Sequence, residues 1–207
     1  MDLTLPARTM APTLDIPVLI VLAGTTLPLT GNQISRLVVS GSRAGVFLVL
    51  KRLEQHGILD IVEAGPSNLY SLNRDHVVAP AVLALVDLRG ELFDRISAAM
   101  REWVIPPVSA AVFGSAARGD GNLQSDIDIF VVRPDHISDE NSQWSNQITE
   151  LGTQVRRWSG NSASFIQATS AQVASMISRE EPIVESLQND AISLIGNHVL
   201  SVVDVAP

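Results

Sequence analysis

Ser109-Ala110-Ala111-Val112-Phe113-Gly114-Ser115-Ala116-Ala117-Arg118-Gly119 is followed, across a short polar stretch, by Ser125-Asp126-Ile127-Asp128-Ile129-Phe130-Val131-Val132. The first segment reads as a short buried strand running into a glycine-serine turn, and the second as a strand with carboxylates at i and i+2. Side chains alternate across a strand, so Asp126 and Asp128 share one face while Ile127 and Ile129 point into a core. Two carboxylates on one face repel each other, and a divalent cation relieves that repulsion as a hard centre that prefers oxygen ligands. Magnesium is the expected ion, with Asp126 and Asp128 as its ligands.

The turn has a matching purpose. Gly114 lets a phosphate approach the backbone, and Ser115 offers a hydroxyl and an amide as donors. Arg118 is placed to balance charge on a triphosphate, which a planar guanidinium does better than an ammonium.

A hydrophobic residue, Gly-Ser, a spacer and Asp-hydrophobic-Asp-hydrophobic resembles the signature of the DNA polymerase beta superfamily of nucleotidyltransferases. Gly114-Ser115-Ala116-Ala117-Arg118-Gly119 followed by Ser125-Asp126-Ile127-Asp128 looks like its minimal branch. The resemblance spans about Val104 to the C-terminus and implies a mixed sheet with flanking helices. It also implies transfer of a nucleoside monophosphate from an NTP to an acceptor hydroxyl, with Mg²⁺ held by Asp126 and Asp128 and pyrophosphate leaving. Active members carry a third carboxylate on a later strand. Here the expected later strand, Ser164-Phe165-Ile166-Gln167, has none, and Ser164 or Gln167 stands in its place. Neither is a base at neutral pH, so slow catalysis, nucleotide binding without turnover and a substrate-assisted reaction are all open. Glu150, Glu180 and Glu181 fall in helical contexts and read as surface charge.

Outward from this motif, the N-terminal part reads differently. Ile16 to Ala23 is apolar, far too short for a membrane span, and reads as a buried helix. Thr30 and Gln33 stand at capping-box spacing before a short helix, and Ser42 caps a second helix from about Arg43 to Gln55 that Gly57 stops. Ile58 to Val62 and Leu69 to Leu72 read as strands around a turn from Glu63 to Asn68 centred on Gly65-Pro66. This order resembles the winged helix-turn-helix of bacterial transcription regulators, over about Asp15 to Leu72. Carried over by position, Ser40, Ser42 and Arg43 face the major groove of double-stranded DNA, Lys51 and Arg52 follow along the recognition helix, and Asn68 sits on the wing. A dimerisation or packing module is the competing reading, because the part up to Val78 carries no net charge.

The expected organisation is therefore α+β: a winged helix-turn-helix domain at 1–78, a linker helix at 79–105 and a nucleotidyltransferase-like domain at 106–207. Apolar residues from Val82 to Met100 fall near helical spacing. An exposed stripe there would favour a homodimer, whereas the same residues packed on their own chain would not. Hydrophobic residues make up 46% of the 207 and charged residues 17%, which excludes a disordered or fibrous chain. The formal charge of −8 comes entirely from the part after Val78, so a broad polyanion-binding surface there is excluded. No cysteine is present and the four histidines are scattered, which removes disulfides and thiolate zinc sites and fits a reducing cytoplasm. Two functional classes remain: a nucleotidyltransferase, or a non-catalytic regulator or antitoxin-like protein whose transferase domain binds a nucleotide or a protein partner such as a toxin.

Overall fold

The structure, a computed structural model, describes residues 1–9, 13–39 and 41–205. The chain forms two compact units, Leu5–Leu88 and Met1–Thr4 with Arg89–Pro207. Among the described residues no helix is long and apolar enough to cross a membrane.

In the unit Leu5–Leu88, α1 (Asp15–Ala23) buries Ile16, Val18, Leu19 and Leu22. Thr30 starts α2 (Gly31–Leu37) with a reciprocal capping box to Gln33, as its spacing leads one to expect. Ser42 accepts from the Gly45 amide at 3.1 Å and starts α3 (Arg43–Gln55). Gly41 between these helices has φ +109°, and a Cβ there would meet the Leu14 side chain. Leu29–Thr30 (β1), Leu59–Ala64 (β2) and Ser67–Leu72 (β3) form an antiparallel sheet in the order β1-β3-β2. The hairpin is tighter than the expected turn from Glu63 to Asn68: Glu63 pairs with Asn68 and Ala64 with Ser67, leaving only Gly65-Pro66 as the connection. Polar residues can pair backbones in solvent without burying side chains, so hydrophobic alternation does not mark the end of such a strand. Val18, Leu22, Ile34, Val46, Leu50, Leu59 and Leu72 make the core.

The apolar stretch read as one helix is two, α4 (Ala79–Val86) and α5 (Leu88–Arg101), interrupted at Asp87 with φ −104° and ψ 25°. The break has a packing reason. Val82 joins the core of the first unit, whereas Leu92, Phe93, Ile96 and Met100 join the core of the second.

The second unit is a four-stranded mixed sheet with flanking helices. Its strands are β4 (Ser109–Phe113), β5 (Ile127–Arg133), β6 (Ala163–Thr169) and β7 (Ile192–Ile195), ordered β6-β5-β4-β7. β5 and β6 run parallel, joined through α7 (Ser142–Ser159), while β4 pairs antiparallel with both β5 and β7. Ile127, Ile129 and Val131 pack with α5 and α7 on one face of the sheet. Phe130 and Val132 pack on the other face with α8 (Ser170–Ser178), α9 (Pro182–Asp190) and the final 3₁₀ turn from Val199. Asp128 belongs to this second face by strand alternation.

The loop that delivers Asp126 to β5 is held from a distance. The Asn161 side chain, 2% exposed, donates to the carbonyls of Asn122 at 3.2 Å and Ser125 at 2.9 Å. The Asn122 amide in turn donates to Ser125 Oγ at 2.9 Å. Truncating a buried amide leaves its partners without donors and costs about 1–3 kcal/mol. Asn161→Ala should lower unfolding free energy by that amount in urea titration, and an unchanged midpoint would show that the loop is held by other means.

Candidate active site

The two strands that carry the motif end side by side, because Phe113 on β4 is the register partner of Asp128 on β5. The chain then turns at Gly114, with φ +66°, into the short helix α6 (Gly114–Arg118). A Cβ at Gly114 would stand 3.0 Å from Asp128 Oδ2, so the left-handed backbone and the nearby carboxylate both call for glycine. The Ser115 carbonyl accepts from the amides of Gly119, Asp120 and Gly121 at 3.0, 3.1 and 3.2 Å, which folds the following loop back on the turn. Its hydroxyl makes no hydrogen bond among the described residues.

Asp126 is exposed and Asp128 half-buried. Neither carboxylate has an ion-pair or hydrogen-bond partner among the described residues. Burial, and then the charge of Asp126, push the Asp128 carboxyl above its ordinary value. Two carboxylates without a cationic partner, one of them against Gly114, suit a hard divalent cation, and the residues present fit that group.

No third acid joins them. Among the described residues, no group of three or more His, Cys, Asp or Glu side chains comes together. Of the two residues expected in the third acid's place, Ser164 is the register partner of Asp128 and lies on its face. Gln167 pairs with Val131, falls on the opposite face and accepts from Trp144 Nε1 at 2.6 Å. Its carbonyl oxygen is therefore committed to holding α7. Arg118, expected on a triphosphate, is bound within the chain: Nε lies 3.0 Å from Asp120 Oδ2 and Nη1 2.5 Å from Asp190 Oδ2. The hydrogen bonds that it donates, first to Asp120 and then to Asp190, raise the guanidinium above its ordinary value. Asp190 is 72 residues away in sequence, and no local pattern links the two. Asn161 likewise carries no local signal in the sequence, because its partners Asn122 and Ser125 lie 39 and 36 residues away.

In the unit Leu5–Leu88, Arg43 and Asn68 line one polar cavity of about 340 Å³ with Thr30, Asn32 and Tyr70. The Arg43 guanidinium lies 5.7 Å from the Phe47 ring centroid. Ser42 Oγ is engaged in capping α3, and Arg52 pairs with Asp15 on α1. Lys51 lines a more apolar surface with Phe47, Leu48 and Tyr70, apart from Arg43 and Asn68. Ser40 lies outside the described residues.

No curated protein and no solved structure matches the chain. Residues 94–158, a segment that runs from α5 through the Gly114-Ser115 turn and both aspartates to the end of α7, match the family of nucleotidyltransferase domains.

Proposed function

We propose that the unit containing β4–β7 moves a nucleoside monophosphate from an NTP to an acceptor hydroxyl, with Mg²⁺ held by Asp126 and Asp128. The observation that carries this reading is the unpartnered carboxylates of Asp126 and Asp128, the latter against Gly114, inside a segment that matches nucleotidyltransferase domains. The acceptor oxygen bonds to the α-phosphorus, the bond to the bridging oxygen breaks, and pyrophosphate leaves. Mg²⁺, when bound, offsets the negative charge of carboxylates and phosphates. Gly114 leaves room for the phosphates, and the Ser115 hydroxyl is free to donate to them. Ser164 cannot take the acceptor's proton at neutral pH, so that proton passes to water or to the substrate's own phosphate, and turnover is slow. Asp126→Asn combined with Asp128→Asn should abolish Mg²⁺-dependent pyrophosphate release while leaving the circular dichroism spectrum unchanged; equal release by the double variant would sink the proposal.

The raised Asp128 carboxyl supplies a second test. The protonated side chain supports the fold fully below the unfolded carboxyl value, and that support is lost as pH rises through the raised folded value. Asp128→Asn, neutral at every pH, should therefore melt above wild type at pH 7, the gain vanishing below about pH 4. Mg²⁺ should narrow the gap at pH 7 by stabilising wild type alone. A gain independent of pH would assign the effect to packing rather than charge.

The alternative is a regulator or antitoxin-like protein that binds a nucleotide or partner without turnover. It is favoured by the absence of a third acid and by the engagement of Arg118 with Asp120 and Asp190. We read the unit Leu5–Leu88 as a winged helix-turn-helix that binds double-stranded DNA. Ser42, Arg43 and Lys51 on α3 and Asn68 on the hairpin are its contact residues, while Arg52 is occupied by Asp15. The shared cavity of Arg43 and Asn68 supports this reading. Exposed Phe47 and Leu48 on the same helix, 37% and 70% accessible, support a homodimer or protein-docking surface instead. Arg43→Ala should weaken binding to a selected DNA duplex and relax its sequence preference in a gel-shift titration. An unchanged curve would count against α3 as the reading helix.

A further inference from the structure

A cavity of the second unit lies away from the carboxylates. Between α5 and α7 lies a cleft of about 600 Å³, within the range of small-molecule sites. Trp103, Trp158, Leu151 and the small side chains of Ala98 and Ala99 give it apolar walls. The α5–α7 layer covers the sheet face of Ile127, Ile129 and Val131, so the sheet separates this cleft from the face that bears Asp128.

Its walls are fixed. Trp103 packs edge to face with Trp144 at 5.5 Å, and Trp144 is fully buried and held by Gln167. Gln147, 5% exposed, accepts from the Ile105 amide at 3.0 Å and donates to its carbonyl at 3.1 Å, tying α7 to the segment that follows α5. Electrically the cleft is one-sided. Its single cation, Arg95, is paired with Glu91 at 2.7 Å, whereas Glu102 and Glu150 have no cationic partner among the described residues. Gln154 donates weakly to Glu150 at 3.4 Å and leaves its charge uncompensated. Indole faces attract cations, and uncompensated carboxylates beside them add to the same preference.

We propose that this cleft binds an organic cation with an apolar body, such as an alkyl or aryl ammonium, at a site distinct from the proposed transfer site. The ammonium lies against the indoles of Trp103 and Trp158 by Glu102 and Glu150, and the apolar body lies along Leu151, Ala98 and Ala99. An anion is disfavoured by the same two carboxylates. Because the sheet stands between the two sites, this ligand is not the acceptor of the transfer.

The test titrates the full chain, without nucleotide or metal, with benzyltrimethylammonium, benzyl alcohol and benzenesulfonate, followed by tryptophan fluorescence and calorimetry. Saturable binding of the cation at least about tenfold tighter than the neutral compound is expected, with no binding of the anion. Glu102→Gln with Glu150→Gln, two exposed isosteric changes, should weaken the cation about fivefold or more and leave benzyl alcohol unchanged. Equal affinity for cation and alcohol would mark the cleft as merely apolar and overturn the proposal, as would a double variant that binds the cation like wild type. Self-association in sedimentation that the cation does not reverse, and that Val104→Asp abolishes, would assign the cleft to a second copy and overturn it as well. Because nucleotide and Mg²⁺ are left out, failure here is separable from failure of the transfer reading.

Discussion

Strand β5 is buried on both faces, and Asp128 is the point at which that burial is broken by a charge. Ile127, Ile129, Phe130, Val131 and Val132 are fully buried, so β5 holds two helical layers to one sheet. A carboxylate on such a strand is tolerated only near its end, where water or a cation reaches it. The remaining local features follow from that position. Gly114 must lack a side chain because Asp128 Oδ2 lies where its Cβ would press, and Asp126, just before the strand, adds a second negative charge that keeps Asp128 from ionising freely. Burial first, and then the neighbouring charge of Asp126, both disfavour ionisation of Asp128, which suits cation binding better than structural packing.

Features set by nearby residues were legible in the sequence, and features set by distant ones were not. Thr30 with Gln33 fixes the start of α2, and Ser42 and Gly57 the start and end of α3, each within a few positions of itself. Strand alternation likewise revealed β5 and the face of Asp128, whereas Asp126, expected on the same strand, falls just before its first residue, Ile127. The partners of a strand are another matter, since they depend on packing across the chain. β7 reaches β4 from about 80 residues downstream, and β1 joins β3 through only two residues. The split between α4 and α5 was hidden for a related reason: apolar spacing records that a face is buried, not which core buries it. Asn161 and Asp190 are single polar residues whose partners lie far away in sequence, so no local period marks them.

Arg118 illustrates how the same residue carries different meanings at the two levels. Adjacent to a glycine-serine turn, it reads as a phosphate ligand. In the fold it ties α6 to Asp190, the last residue of α9, and is exposed enough that each ion pair contributes little to stability. Such weak exposed pairs are readily exchanged, and a triphosphate is a stronger competitor for a guanidinium than a single carboxylate. The ion pairs therefore describe where Arg118 rests without nucleotide and leave its phosphate role intact as a proposal.

Absence of a third acid weighs differently on binding and on rate. A positioned general base contributes about 10²–10⁴-fold to a proton-transfer step, whereas electrostatic stabilisation of the transferring phosphoryl group is usually the larger share. Ser164, on the face of Asp128, supplies neither charge nor basicity, so its loss of function relative to an acid falls chiefly on the base. In the proposed reading the electrostatic share falls to Asp126, Asp128, Gly114 and Ser115. A slow enzyme is accordingly the reading we propose over an inert scaffold, which gains nothing from two unpaired carboxylates at the head of a buried strand.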